Sequence, residues 1–259
     1  QAEDGIRDDL VTGVQTCALP ISMRAPDYFE RRDGVSQALS PLASLYAGIA
    51  RLRQRWSKPW QASVPVICVG NITAGGAGKT PVALALGALL RERNLEVHFL
   101  SRGYGGRLRG PTRVDRNRHT ARDVGDEPLL LAETAPTWVA RNRAAGAKAA
   151  IAAGATVIVM DDGLQNPTLA KTLSLVVVDG GFGFGNGRVL PAGPLREPID
   201  EGLARADAII LNEPDSSNTA AALEQAMQPI IRARMVPATA AQRFAGRNVV
   251  AFEIGRAHV

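Results

Sequence analysis

The stretch "VPVICVGNITAGGAGKTPVALALGALL", residues 64–90, decides the fold. It opens as a short apolar run, passes through a glycine-rich turn and continues into a segment rich in Ala and Leu. Strand, tight loop and helix in that order are the context a phosphate-binding loop requires. Gly75, Gly76 and Gly78 let backbone N–H groups turn toward phosphate oxygens with no Cβ in the way. Lys79 is placed to reach the β and γ phosphates, and the Thr80 hydroxyl to ligate Mg²⁺. Thr73 stands where the pattern G-x-x-x-x-G-K-[ST] has its first glycine, so the match departs from the strict form at one position. The bland alternative is a strand-to-helix turn without a ligand. The strand–loop–helix context favours a nucleotide site, with Thr73, Gly75, Gly76, Ala77, Gly78, Lys79 and Thr80 as its cradle.

Working outward, short β-branched runs recur at 64–70, 96–101, 156–160, 173–179 and 207–212. Each is nearly all apolar, as expected of strands covered on both faces of a parallel sheet. Helical patterns at 80–94 and 138–154 alternate with them. The alternation predicts an α/β, doubly wound, mainly parallel sheet of the P-loop NTPase type. Ligands in such sheets sit beyond the carboxyl ends of the strands, and the motifs below fall there.

The ends read differently. Residues 1–22 and 253–259 resemble translated sequencing adapters and are expected to be non-native, leaving Met23 to Phe252 as the protein's own sequence. The front stretch has neither a basic start nor a continuous apolar run, so it does not read as a signal peptide. Within 23–252 there are 28 Lys and Arg against 20 Asp and Glu, a surplus of +8 that suits an anionic partner. Cys68 is then the single cysteine, set in an apolar run, so no disulfide framework exists and the thiol is expected to be buried. No stretch approaches 18 uninterrupted apolar residues, so no membrane-spanning helix is predicted and the base expectation is a cytoplasmic globular protein.

Ahead of the sheet, residues 35–60 carry Leu39, Leu42, Leu45, Tyr46, Ile49, Leu52 and Trp56 at spacings of three and four, one apolar helical face. Arg51, Arg53, Arg55 and Lys58 crowd its end beside Trp56 and Trp60. The face could pack on its own domain, or lie in a membrane interface where Trp and basic residues anchor well. Burial gives roughly 1.5–3 kcal/mol per large side chain in either setting. The basic cluster tips the balance toward anionic lipid, at about 1 kcal/mol per charge.

The chemistry-bearing residues follow the strands. Asp161 and Asp162 end an apolar run, where phosphate-loop enzymes keep a carboxylate for Mg²⁺; a solvated acidic turn is the alternative. Asp126 and Glu127 precede Pro128 and an apolar run, which suits helix capping or equally a general base and metal ligand. "SRGYGGR" (101–107) offers Arg102 and Tyr104, and "GFGFGNGRVLPAGPLREP" (181–198) ends with Arg196. These arginines could fork onto a phosphate, although a solvated loop arginine is the plainer reading. His98 and His119 invite no catalytic role, no Cys/His cluster has zinc-ligand spacing, and no G-x-S-x-G elbow is present.

In this order, "GNITAGGAGKTP", "SRGYGG", "GDEPLLLA", "DDGLQNPTL" and "GNGRVLPAGPLREP" resemble the tetraacyldisaccharide 4′-kinase (lipid A 4′-kinase) family over essentially all of residues 23–252. The resemblance implies transfer of the γ-phosphoryl of ATP, with Mg²⁺, to the 4′-hydroxyl of a tetraacyl glucosamine disaccharide 1-phosphate. It implies a peripheral enzyme on the cytoplasmic face of the bacterial inner membrane, docked through residues 35–60, with no nucleic acid and no obligate protein partner. Position by position, Asp126 matches the catalytic aspartate, with Lys79 and Arg196 also catalytic. Glu127, Asp161 and Thr80 match metal positions, and Arg102, Tyr104, Asp162 and Arg196 serve substrate. Leu164 and Asn166 replace the family's usual Phe and His of D-D-G-F-Q-H. The phosphate-loop domain is expected over 61–245, with 246–252 beginning a second small lobe that carries a histidine in the family. With that lobe mostly missing, the chain as written is expected to be an inactive fragment.

Two rivals stand beside this reading. One is a GTPase or ATPase switch of the metal-insertion or partitioning type acting on a protein partner. Against its GTP form, "NEPD" (212–215) keeps the Asn and Asp of a guanine-reading N-K-x-D but has Glu213 in place of the Lys. The other is a nucleic-acid-binding ATPase, suggested by the charge alone and unsupported by any aromatic-interleaved basic strip.

Overall fold

The computed structural model describes residues 26–224 and 226–236. The adapter-like ends, the expected start of a second lobe at 246–252 and the last part of the 61–245 domain lie outside the described residues.

Among the described residues one sheet is formed by β1 (Val66–Gly70), β2 (Val97–Ser101), β3 (Thr112–Arg113), β4 (Thr137–Val139), β5 (Val157–Asp161), β6 (Leu173–Asp179), β7 (Ala208–Glu213) and β8 (Ile230–Arg234). The helices are α1 (Gly34–Ala38), α2 (Ser40–Trp56), α3 (Lys79–Arg91), α4 (Ala121–Val124), α5 (Asp126–Leu131), α6 (Arg143–Ala152), α7 (Ile199–Leu203) and α8 (Thr219–Ala222). The strand order is β3-β4-β2-β5-β1-β6-β7-β8, and every neighbouring pair is parallel except β3 with β4. The five apolar runs of the sequence are thus β1, β2, β5, β6 and β7, and β1 lies between β5 and β6.

Two apolar layers explain why these strands have no polar face. Along β5, Val157 and Val159 pack with Phe99, Val69 and Ala83 on one side, whereas Ile158 and Met160 pack with Leu100, Ala147 and Val176 on the other. Successive side chains of a strand point to opposite faces, so a strand covered on both sides is apolar throughout. Cys68 belongs to the second layer and is fully buried.

The helical patterns are trimmed at their ends. Trp138 and Val139 pair with β2 as part of β4, and α6 starts only at Arg143, where the Asn142 side-chain Oδ1 accepts from Ala145 N at 3.1 Å. An aromatic and a β-branched residue suit a strand better than the first turn of a helix. Helix α3 ends at Arg91, ahead of Asn94, which sits at φ 60°.

Residues 35–60 form two helices followed by an extended exit rather than one continuous helix. The inward stripe of α2 is Ala43 and Ala47. Leu42, Leu45, Tyr46, Ile49, Leu52 and Trp56 are 42–75 % exposed, so the large apolar face does not pack on this domain. Trp60, read as a second interfacial tryptophan, is instead half-buried: its backbone bonds to Thr168 and its ring lies 5.1 Å beneath Lys148 Nζ. Arg51 pairs with Glu201 at 2.6 Å.

Candidate active site

The site lies beyond the carboxyl ends of the central strands. The loop after β1 has Gly75 at φ 130° and Gly78 at φ 78°, backbone that only glycine adopts without strain. Gly78 is the left-handed cap from which α3 starts, so Lys79 is its first residue and Thr80 lies in its first turn. Lys79 is buried, with Nζ 3.9 Å from Asp162 Oδ1. Nothing among the described residues hydrogen-bonds to the Thr80 hydroxyl.

Thr73 explains the missing glycine. It is buried, its hydroxyl accepts from Asn71 Nδ2 at 3.1 Å, and its backbone bridges Leu195. The adjacent residues complete a short ladder, Ala74 N donating to Pro194 O at 2.6 Å and Arg196 N to Ile72 O at 2.8 Å. The phosphate loop is thereby edged by the 181–198 loop, and Arg196 is delivered to it by main-chain pairing. Its Nη1 donates to Asp162 Oδ1 at 2.7 Å and lies 3.4 Å from Gln165 Oε1. Gln165 Nε2 donates to Asn71 O at 2.8 Å and to Glu197 Oε1 at 2.9 Å, and Glu197 pairs in turn with Arg205.

The two aspartates at the end of β5 differ sharply. Burial alone would raise the Asp162 carboxyl, but Lys79, Arg196 and Arg143 together hold it below its ordinary value. Asp161 is fully buried, neither of its oxygens has a hydrogen-bond partner among the described residues, and burial followed by the charges of Glu127 and Asp162 pushes it up to about 7. Buried acceptors are almost always satisfied, so this pair of oxygens is one that a cation would fit. Among the described residues no group of three or more His, Cys, Asp or Glu could hold a metal by itself. A Mg²⁺ ion here would draw its ligands from Asp161, Thr80 and the phosphate oxygens together.

The "SRGYGG" loop and the Asp126–Glu127 turn are zippered. Arg107 N donates to Arg122 O at 3.0 Å and Leu108 N to Asp123 O at 2.9 Å. Gly125, at φ 90°, allows the contact, since a Cβ there would lie 2.5 Å from Tyr104 O. Asp126 and Glu127 open α5. Burial raises Glu127, with Lys79 acting against it and the Asp162 charge adding to it, which places that carboxyl within the field of the phosphate loop. Asp126 makes no side-chain hydrogen bond or ion pair among the described residues. Arg102 and Tyr104 are exposed, Tyr104 by 83 %, and among the described residues neither makes a hydrogen bond or ion pair with Lys79, Asp162 or Arg196.

The family model for tetraacyldisaccharide-1-P 4′-kinase matches residues 35–257. The chain belongs to that family. The tetraacyldisaccharide 4′-kinase of Rhodospirillum rubrum is 55 % identical over 238 residues, covering 90 % of this chain and 72 % of the relative. That of Rhodospirillum centenum is 56 % identical over 241 residues, covering 90 % and 71 %. Among solved structures, LpxK of Aquifex aeolicus in complex with ATP aligns with a TM-score of 0.64 at 29 % identity, covering 76 % of this chain and 64 % of that one. These 4′-kinase relatives support the kinase reading and the phosphate-loop α/β fold.

The fold also engages side chains beside the site that sequence spacing did not connect to it. Gln165 and Glu197 sit inside quoted motifs, yet no spacing announces that they meet. Arg143 is buried at the start of α6, and burial lowers its guanidinium to about 10 against the opposing pull of Asp162. Asn212 at the end of β7 donates to Ala77 O at 2.7 Å, and both oxygens of Asp215 accept from Thr219 N and Ala220 N. Both guanine-reading positions of "NEPD" are therefore engaged within the fold. His98 and His119 accept internal bonds from Trp138 and Asp115.

Proposed function

We propose that this site transfers the γ-phosphoryl group of ATP to the 4′-hydroxyl of a tetraacyl glucosamine disaccharide 1-phosphate, with Mg²⁺. The observation that carries the reading is the unsatisfied Asp161 carboxylate set beside the phosphate loop, in a chain of the 4′-kinase family. Lys79, Arg196 and the loop amides supply positive potential for the triphosphate. Asp162 holds Lys79 and Arg196 in register before ATP arrives, which removes reorganisation from the reacting step. Bound at Asp161 and Thr80, Mg²⁺ would neutralise charge on the phosphate oxygens. At the start of α5, Asp126 has no hydrogen-bond or ion-pair partner among the described residues, which suits it to accept the proton of the sugar hydroxyl, a role that contributes about 10²–10⁴-fold. Glu127 supports the metal side of the site, while Arg102 and Tyr104 stand exposed where an incoming substrate could be met.

The same reading places the protein peripherally on the cytoplasmic face of the inner membrane. Its support is the exposed apolar face of α2, flanked by Arg53, Arg55 and Lys58, a pattern that suits a helix lying in an anionic lipid surface.

The test is transfer from γ-labelled ATP to tetraacyldisaccharide 1-phosphate in mixed micelles, in this chain and in the longer Rhodospirillum rubrum relative. Labelled lipid is expected from the longer relative, together with loss of turnover but retention of ATP affinity for alanine at the Asp126 position. Release of phosphate without any lipid acceptor, with GTP preferred, would favour the switch reading. Turnover within about tenfold of wild type in the alanine variant would remove Asp126 from the role of base.

A further inference from the structure

The loop between β6 and α7 touches two distant parts of the chain. Its far end carries Leu195 and Arg196 and forms the ladder with Ile72, Thr73 and Ala74 described above. Its near end is bolted to the N-terminal segment through Asn186, which is 5 % exposed. Asn186 Nδ2 reaches Tyr28 O at 2.6 Å, Ser36 Oγ at 3.0 Å and Ala192 O at 2.9 Å, and its Oδ1 accepts from Arg188 N at 2.9 Å. The main chain adds two more ties, Asn186 N to Phe29 O at 2.7 Å and Arg32 Nε to Asn186 O at 3.0 Å. Ser36, fully buried, donates to Ala192 O at 2.7 Å. The Arg188 guanidinium donates to Ser36 O at 2.9 Å and also to Ser40 Oγ.

Between the two ends the loop is closed on itself. Leu190 N donates to Leu195 O at 2.7 Å and Leu195 N to Arg188 O at 3.0 Å. Gly193 has no room for a side chain, because a Cβ would collide with Asn186 Oδ1 and lie 2.5 Å from Arg188 O. The path from Tyr28 and Ser36 through Asn186, Ala192 and Arg188 to Arg196 therefore runs through paired or packed groups at each step. Asn186 and Ser36 are shielded from water, so solvent does not readily replace their bonds.

We infer that Asn186 is a positioning residue for Arg196, through which the N-terminal helical segment fixes the loop that holds the guanidinium against Asp162. The inference rests on the reading that Arg196 meets the triphosphate, and it is independent of any membrane. A path of contacts does not by itself demonstrate coupling; a double-mutant cycle does.

The experiment measures ATP affinity in Mg²⁺ by titration calorimetry for this chain and for Asn186→Ala, Arg196→Ala and the double variant, with melting temperature as the control for folding. Asn186→Ala is expected to weaken ATP binding about fivefold in the wild-type background and less than about twofold when Arg196 is already alanine. The same factor in both backgrounds, or no loss in either, overturns the inference. If Arg196→Ala alone leaves affinity unchanged, the reading of Arg196 and this inference fall together. If it weakens binding but the two factors multiply, only the inference falls. Ser36→Ala removes one hydroxyl from the same junction, and it should show the same non-additivity should Asn186→Ala fail to fold.

Discussion

Arg196 Nη1 and Asp162 Oδ1 lie 2.7 Å apart, although 34 residues separate them in the chain. Lys79 approaches the same oxygen to 3.9 Å, so one carboxylate organises two cations beside the phosphate loop. Asp162 reaches this position from φ 51°, a left-handed backbone conformation at the end of β5. Such conformations cost about 1–3 kcal/mol and persist where the surroundings hold them in place.

Removing either partner should therefore disturb ATP more than folding. Arg196→Ala is expected to weaken ATP about tenfold, the scale of a lost charge-assisted bond. Arg196→Lys should restore only part of the loss, because an ammonium cannot reproduce the planar fork. Asp162→Asn should have a similar effect by releasing both cations. Calorimetric titration with ATP reads all three, and full recovery by Arg196→Lys would argue against a guanidinium-specific contact.

Asp161 predicts a pH dependence. Its folded value of about 7 stands above the ordinary 3.8, so the folded state disfavours the charged form. Between about pH 4 and pH 7 the unfolded chain releases this proton while the folded chain keeps it, and stability falls as pH rises through that window. The difference is worth about 4 kcal/mol when complete. Asp161→Asn should raise the melting temperature at pH 8 and leave it nearly unchanged at pH 4. ATP with Mg²⁺ should stabilise the wild type more at pH 8 than at pH 6, and chelation of the metal should abolish that difference. A variant no more stable than wild type at pH 8 would contradict the burial argument.

Asn212 gives a third expectation. Its amide supports the Ala77 carbonyl from inside the phosphate loop, and a Cβ on Gly78 would run into it. Asn212→Ala leaves a buried acceptor without a partner, at a cost of about 1–3 kcal/mol, and Asn212→Asp sets two acceptors face to face. ATP affinity should fall in both variants, more in the aspartate, without any gain in GTP binding. Gain of GTP affinity in either variant would reopen the guanine reading.

Helix α2 gives the fourth. Leu45→Ser together with Ile49→Ser should weaken co-sedimentation with phosphatidylglycerol vesicles about tenfold or more, since each exposed side chain would bury apolar area in lipid. The melting temperature should stay within a few degrees, because both residues are more than half exposed. Arg53→Gln with Arg55→Gln should reduce binding further at low salt than at high salt. Equal vesicle binding by all of these variants would exclude the face as the docking surface.

The strand–loop–helix around Lys79, the five central strands and the carboxylates at the end of β5 were all legible in the sequence. They rest on local periodicity and on residues a few positions apart, so neighbouring side chains suffice to specify them. β4 was hidden inside a helical pattern because three residues of strand carry too little periodicity of their own. β8 escaped because Ile230 and Ile231 sit on an exposed edge. The apolar stripe of α2 was visible as a stripe, but which way it faces was not: Ala43 and Ala47 turn inward and the large side chains outward.

The sequence by itself determined that a phosphate loop opens a helix at Lys79, with acids waiting at the ends of the strands that flank it. Only the tertiary structure decided which of those acids pairs with Arg196, which is left without a hydrogen-bond partner among the described residues, and how Asn186 ties residues 28–36 to the loop beside Thr73. Those choices join positions up to 158 residues apart. Hydrogen bonds and charge pairs act over a few ångströms of space, and sequence spacing carries no measure of that distance until the chain has folded.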